Sequence, residues 1–433
     1  MRRGVQGDIL AAPHEALHQY ERNFGGMIRH TPRIVVRAIC EQDIIHVLQT
    51  AQTNSVPVTI RGAGHSCMGQ ALSDDGILLV NAAAHASFTL LENGRVEITT
   101  RCRWKYVERI LNQIGLTAPV LGDNLSITIG GILSVGGYGV RSVAYGAIVH
   151  QVERLRFIQP DGSPIWCSPT ENTELFQYSL AGQGRIGFIE RVVMRTIPYP
   201  RQTQHYTFKH TSLDSLVKSL AWLLNDAFPE EFIAIYSRAG TIVSHYEFSL
   251  QNIPANPIQQ LSQGDKLQQT QVLPNISPIY RQLQITSDEF NPAVDYLIEY
   301  AQLQPFLDFI KDKLHQTCLG QYTDSFIVMA VRPPANQHPL PFEATAFGSD
   351  PIKFLVGFYP VVPKENIRAL EKVKAIIRDI LHLCIKLGGR PYLYGWHELD
   401  VQVKRKLYGT HYDAVLQLQQ KLDPKNLFNK KVI

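Results

Sequence analysis

Two glycine-rich segments, Gly62-Ala63-Gly64-His65-Ser66 and Gly130 to Gly139 (GGILSVGGYG), constrain this chain more than any other feature in it. Small residues placed directly after a strand let backbone N–H groups come close to an anionic group such as a diphosphate. A histidine in the first loop is an unusual guest, although a lone histidine is more often a structural hydrogen-bonding residue. The second segment, about 65 residues further along, changes that balance. Two such loops in one α/β region suggest a single long ligand gripped from both sides.

The local pattern supplies the α/β setting. An apolar run Ile34 to Ala38, a helix-like stretch Glu41 to Gln52 and a strand Val56 to Arg61 lead into the first loop. Strand signals at Ile77 to Val80 and Val96 to Thr99 precede a helix near Trp104 to Ile114. There Tyr106, Val107, Ile110, Leu111 and Ile114 recur at helical spacing and Gly115 is the stop. Beyond the second loop, Val152 to Ile158 and Ile165 to Ser168 flank a hairpin turn at Gln159-Pro160-Asp161-Gly162. Glu171 to Ser179 reads as a short helix and Ile186 to Ile197 as a strand, with Pro198 and Pro200 marking a boundary. From about residue 201 the character changes: a strand, a helix Leu213 to Leu224, strands Phe232 to Tyr236 and Thr241 to Phe248, then a polar, Gln- and Pro-rich stretch to about 280. This suggests a separate domain on an antiparallel sheet. A long helix Asn366 to Leu387 ends at Gly388-Gly389, followed by Pro391 to Trp396 and a terminal helix into Asp423-Pro424.

At 433 residues the length favours two or three domains. A hydrophobic share of 45% and a charged share of 18% are those of an ordinary globular protein, so disordered and fibrous classes drop out. The 42 basic and 38 acidic side chains form no basic stripe, and nucleic acid is not an expected partner. No uninterrupted apolar region follows the two N-terminal arginines, and the longest apolar candidate, Ile352 to Val362, contains Lys353 and reads as a buried strand. Neither a signal peptide nor a membrane anchor is expected. Cys40, Cys67, Cys102, Cys167, Cys318 and Cys384 show no CxxC or metal-ligand spacing, so no metal site is expected and a reducing, cytoplasmic setting fits best.

Gly182-Gln183-Gly184-Arg185-Ile186-Gly187 matches GxGxxG to the letter. A Rossmann turn needs a strand before it and a helix N-terminus after it to receive the pyrophosphate. Here a helix-like stretch precedes, a strand follows, and no acidic residue stands at the expected distance. A tight helix-to-strand turn is the better reading.

The sequence resembles the FAD-linked oxidases of the vanillyl-alcohol oxidase superfamily, and within it looks most like the cytokinin dehydrogenases. Arg61-Gly62-Ala63-Gly64-His65-Ser66-Cys67-Met68-Gly69-Gln70 is similar to that family's RGxGHSxxGQ loop, in which the histidine carries the flavin. Asp123 to Gly131 (DNLSITIGG) resembles its D-x-L-x-L-T-V-G-G segment, with Leu133-Ser134 continuing the match, and Gly182 to Ile189 resembles its G-x-G-Q-F-G-I-I turn. Tyr392-Leu393 and Leu422-Asp423-Pro424-Lys425 look like the family's returning segment. The sequence departs from the family in Ala63, where an arginine is common, and in Asn429-Lys430-Lys431, where an SPGQ-like ending is usual. The berberine-bridge relatives attach flavin through a second residue, a cysteine, at the position held here by Asn124, so the resemblance implies a single covalent bond, at His65.

The resemblance implies an α+β fold: a two-subdomain PCMH-type FAD-binding domain over residues 1–200, completed by 390–433, and a substrate or cap domain over residues 201–389 on an antiparallel sheet with helices. It further implies FAD held covalently through His65, with Gly62, Ala63, Gly64, Ser66, Gln70, Asp123, Thr128, Ser134, Ile189, Tyr392 and Asn429 as contacts. Asp123 matches the family's carboxylate that accepts a proton as hydride leaves the adjacent carbon, a task suited to a partly buried aspartate with a raised pKa. Tyr394, Trp396 and His397 cluster where the chain returns and read more readily as strand and core than as a substrate wall, and His150 as a structural hydrogen-bonder. The expected partners are a small-molecule substrate and an electron acceptor, oxygen or another. The leading expectation is oxidation of a C–N bond of an amine to an imine. An alcohol or sugar oxidase, using a histidine, tyrosine or arginine for the hydroxyl proton, is the alternative, and a non-catalytic flavin-binding protein a third.

Overall fold

The computed structural model describes residues 4–82, 88–199, 203–225, 229–249, 267–272, 288–335, 338 and 340–429. Most of the Gln- and Pro-rich stretch, Pro200, and Lys430 and Lys431 lie outside the described residues.

Three sheets carry the fold. In the first, Asp8–Ala11, Ile34–Arg37, Ile77–Val80 and Val58–Arg61 lie side by side in that order, the last three mutually parallel. Ile77–Val80 is buried throughout, which is why its sequence, ILLV, shows no alternation. The helix Glu41–Asn54 packs Ile44, Val47 and Leu48 into this sheet's core. The tail returns here from far along the chain: Val58 donates to the Leu427 carbonyl and Asn429 donates to the Val58 carbonyl.

The second sheet is antiparallel, in the order Phe88–Leu91, Arg95–Thr99, Phe188–Arg195, Val152–Ile158, Pro164–Cys167. The helix Trp104–Gln113 buries Trp104, Val107 and Leu111 against its core, whereas Ile114, read as part of the apolar stripe, caps the helix and is 49% exposed. The Gly182–Gly187 turn joins the helix Thr173–Ser179 to the strand Phe188–Arg195, the order opposite to a Rossmann crossover.

The third sheet has eight antiparallel strands among the described residues. Its order is Leu267–Val272, Thr203–Lys209, Ile242–Ser249, Glu231–Ser237, Ser325–Val331, Lys353–Phe358, Val294–Glu299, Arg390–Pro391. The helices Leu213–Leu220, Tyr300–Gln316 and Ile367–Lys386 cover one face. The period-2 alternation of a strand divides side chains between that layer and the opposite one: Val294, Tyr296 and Ile298 face the helices, while Leu297, Met329 and Leu355 join the core of the second sheet. The Lys353 ammonium, 2% exposed, is paired at 3.0 Å with Glu299, which reconciles a lysine with a buried strand. Past the sheet, the single terminal helix expected from the sequence is two, Val401–Tyr408 and Thr410–Leu422, broken at Gly409.

Candidate active site

Between the three sheets lies a long cleft lined by both glycine-rich segments, the returning tail and the third sheet. Every residue singled out from the sequence as a site residue lines it: Gly62, Ala63, Gly64, His65, Ser66, Gln70, Asp123, Thr128, Ser134, Ile189, Tyr392 and Asn429. Tyr394 lines it as well. Trp396 and His397 do not; Trp396 belongs to the helix-side core, and the His397 ring bonds the Tyr392 carbonyl at 3.0 Å. His150 accepts from the Ala147 amide at 2.9 Å, a structural role.

Hydrogen bonds on either side of the first glycine loop fix it. The buried Arg61 guanidinium donates to the Ala71 carbonyl at 3.1 Å, Gln70 donates to the Leu393 carbonyl at 3.2 Å, and Cys67 donates to the Tyr394 carbonyl at 2.8 Å. Main-chain amides inside the loop are left open: among the described residues nothing accepts from those of Gly62 to Ser66. The first loop packs against the start of the second segment, since a Cβ on Gly62 would stand 2.2 Å from Oγ1 of Thr128, two residues before Gly130. Thr128 in turn caps the short helix Ile129–Leu133 by accepting from Gly131. Open amides and a second loop in contact form a cradle suited to a dinucleotide diphosphate. Asn429 ties the cradle together, accepting from the Ile60 amide at 2.8 Å and donating to the Gly184 carbonyl at 2.6 Å.

His65 sits against Phe24, ring centroids 4.5 Å apart, with Nδ1 3.4 Å from Asn124 Nδ2. Burial, reinforced by the positive charges of Arg103 and Arg61, lowers its pKa to about 4, so the imidazole is neutral at physiological pH.

Asp123 faces the cleft. Its Oδ1 is buried without a hydrogen-bond partner among the described residues, and desolvation, then repulsion from Asp295, raises its pKa to about 7. Asp295 is the residue that sequence reasoning missed. It projects from Val294–Glu299 into the cleft and accepts from the hydroxyls of Tyr359 at 3.0 Å and Tyr394 at 2.6 Å. Burial raises its pKa to about 6, with the two hydrogen bonds opposing the rise. The register places Gly357 directly across from Asp295, and a Cβ there would stand 1.9 Å from Asp295 Oδ1. The glycine therefore makes the space into which the carboxylate folds. Tyr392, Tyr394 and Tyr138 form an aromatic wall, with Tyr392 4.7 Å from Tyr138 and 4.8 Å from Tyr394 between centroids. The hydroxyl of Tyr392 accepts from the Gly137 amide at 3.0 Å, and that of Tyr138 is bonded to buried Glu343.

Comparison with known proteins bears on this geometry. Residues 32–168 match the family described as FAD binding domain. Cytokinin dehydrogenase 10 of Oryza sativa subsp. japonica is 30% identical over 201 residues, 44% of this chain and 36% of the relative. An uncharacterized oxidoreductase of the fasciation locus of Rhodococcoides fascians is 29% identical over 191 residues, 44% of this chain and 43% of the relative. The matched stretch thus spans less than half of these relatives' own length. Among solved structures, a chitooligosaccharide oxidase superposes with a TM-score of 0.77 at 14% identity, covering 98% of this chain and 96% of that one. The 6-hydroxy-D-nicotine oxidase of Arthrobacter nicotinovorans superposes with a TM-score of 0.75 at 16% identity, covering 98% and 96%. Residues 32–168 match an FAD binding domain, and the chain shares the fold of these two oxidases.

Proposed function

We propose that the protein is an FAD-dependent oxidoreductase that oxidises a C–N bond of a small amine to an imine, with Asp123 as proton acceptor. The observation that carries this reading is the Asp123 carboxylate, buried at the cleft wall with Oδ1 free and a pKa of about 7. A group titrating there is half ionised at neutral pH and takes a proton with little driving-force penalty. Bound FAD supplies the acceptor for the two electrons that leave with the hydride. The residues of the chain do the rest. Asp123 takes the amine proton, the Met329 and Leu355 side chains give the substrate an apolar floor, and the tyrosine wall limits water. Attachment of FAD through His65 belongs to the same reading, since a neutral imidazole retains the lone pair a nucleophile needs.

A second reading, alcohol or sugar oxidation, is favoured by the 2.6 Å bond between Tyr394 and Asp295, because a tyrosine leaning on a carboxylate can relay a hydroxyl proton. Anaerobic mixing of the flavin-loaded protein with a panel of secondary and cyclic amines, alditols and oligosaccharides decides between them. Bleaching of the flavin by amines, lost in Asp123→Asn and retained in Tyr394→Phe, supports the first reading. Bleaching by alcohols alone, lost in Tyr394→Phe, refutes it. An acid-precipitated pellet that is yellow, with a tryptic peptide around His65 heavier by one FAD, tests the linkage; a colourless pellet with unmodified His65 refutes it.

A further inference from the structure

The charge distribution in the cleft is one-sided. Two carboxylates, Asp123 and Asp295, line it, and among the described residues no lysine or arginine side chain does. Arg61 and Arg103 act on His65 at the glycine loop but stop short of the cleft wall. Each carboxylate oxygen of Asp295 accepts from a tyrosine hydroxyl, whereas the buried Oδ1 of Asp123 has no such partner among the described residues. Tyr138, Tyr392 and Tyr394 line the same cleft as Asp123, whose charge acts on Tyr392, and tyrosine ring faces carry partial negative charge that attracts cations. The floor is apolar at Met329 and Leu355.

Resting on the amine reading above, we propose that the cleft selects its substrate by charge: it takes a lipophilic alkylammonium. The cationic nitrogen sits between Asp123 and the tyrosine wall, the hydrocarbon part lies on Met329 and Leu355, and molecules bearing a carboxylate or phosphate are rejected. Beside Asp123 and Asp295, unlike at the open amides of the glycine loop, an anion would meet like charge and no lysine or arginine among the described residues. A cation finds in Asp123 Oδ1 a buried anionic acceptor with no hydrogen-bond partner among the described residues.

Three redox-inert probes of similar shape test this on the flavin-loaded protein: benzyltrimethylammonium, its neutral isostere neopentylbenzene, and phenylacetate. Binding is read from the flavin absorbance change and by calorimetry, so that no turnover is needed. The cation is expected to bind at least tenfold more tightly than the isostere, with phenylacetate weaker still. Asp123→Asn, which preserves shape, is expected to narrow the cation preference to within about threefold. The proposal is overturned if the isostere or phenylacetate binds as tightly as the cation, or if the preference survives unchanged in both Asp123→Asn and Asp295→Asn. Its failure is separable from that of the amine reading. A cation preference without flavin reduction by any amine removes C–N oxidation and leaves charge selection standing; amine oxidation with equal binding of cation and isostere does the reverse.

Discussion

Asp123→Asn is expected to make the protein more stable and less active at once. The Asp123 carboxyl titrates at about 7 in the fold against an ordinary 3.8, because burial and the neighbouring Asp295 oppose its ionisation. Between those two values the folded protein holds a proton that the unfolded chain has released. Stability therefore falls as pH rises from about 4 to about 7, and the full deficit is present above that range. At about 1.4 kcal/mol per pH unit the rise sets a ceiling of ~4 kcal/mol. The side chain borders a cleft rather than solid protein, so about 1–2 kcal/mol is the expected deficit after solvent screening. An amide of the same shape does not titrate and escapes the deficit. Melting curves of the flavin-loaded wild type and variant, at equal flavin content and from pH 4.5 to 8.5, should converge at the acid end and separate in the variant's favour above pH 7. The same substitution should slow anaerobic flavin reduction by about 10²- to 10⁴-fold, the ordinary worth of a general base. A variant less stable than the wild type at pH 8, or a stability difference that does not change with pH, would refute the argument that the fold holds this carboxyl against its preference.

Three further outcomes are expected. With Asp123 as the base, the rate of flavin reduction by amines should rise with pH through about 7 and level off above it; Asp295→Asn should move the inflection to lower pH by removing the neighbouring charge, and stopped-flow pH profiles would show both. Gly357→Ala puts a Cβ 1.9 Å from Asp295 Oδ1 and 2.8 Å from the Tyr359 hydroxyl, so it should cost about 1–3 kcal/mol in denaturant titration and raise KM for the oxidised substrate; wild-type stability would show that the strands part more easily than the register implies. Asn429→Ala strands the Ile60 amide and frees the Gly184 carbonyl, a loss of about 1–3 kcal/mol, and should lower the ratio of flavin to protein absorbance after purification.

The parts of the fold legible in the sequence are those built from neighbours in the chain. Ile77–Val80 reads as a strand because four successive apolar residues have few other fates, and Glu41–Asn54 because its stripe repeats at the helical period. The glycine loops were equally legible, since a glycine cluster reports a close approach whatever the rest of the chain does. Asp295 was not. In sequence it is one acidic residue between Ala293-Val294 and Tyr296-Leu297; its meaning depends on facing Gly357 across a strand pair and on tyrosines at 359 and 394. The helix Tyr300–Gln316 had no reading either, and it contains Pro305, a residue that ordinarily ends helices. The terminal helix was read as one because Gly409, where its direction breaks, interrupts an otherwise continuous polar-apolar pattern only once.

The bond from the Ile60 amide to Asn429 spans 369 positions of sequence. One wall of the cradle is thus made early in synthesis and its fastener late. On a ribosome the glycine loop and the strand before it emerge long before residue 429, and the first sheet waits without its fastener while the eight-stranded sheet is still being threaded. Tight cofactor loading is consequently a late event in the life of the chain, and a nascent protein halted before that residue would carry both glycine loops and hold flavin more weakly.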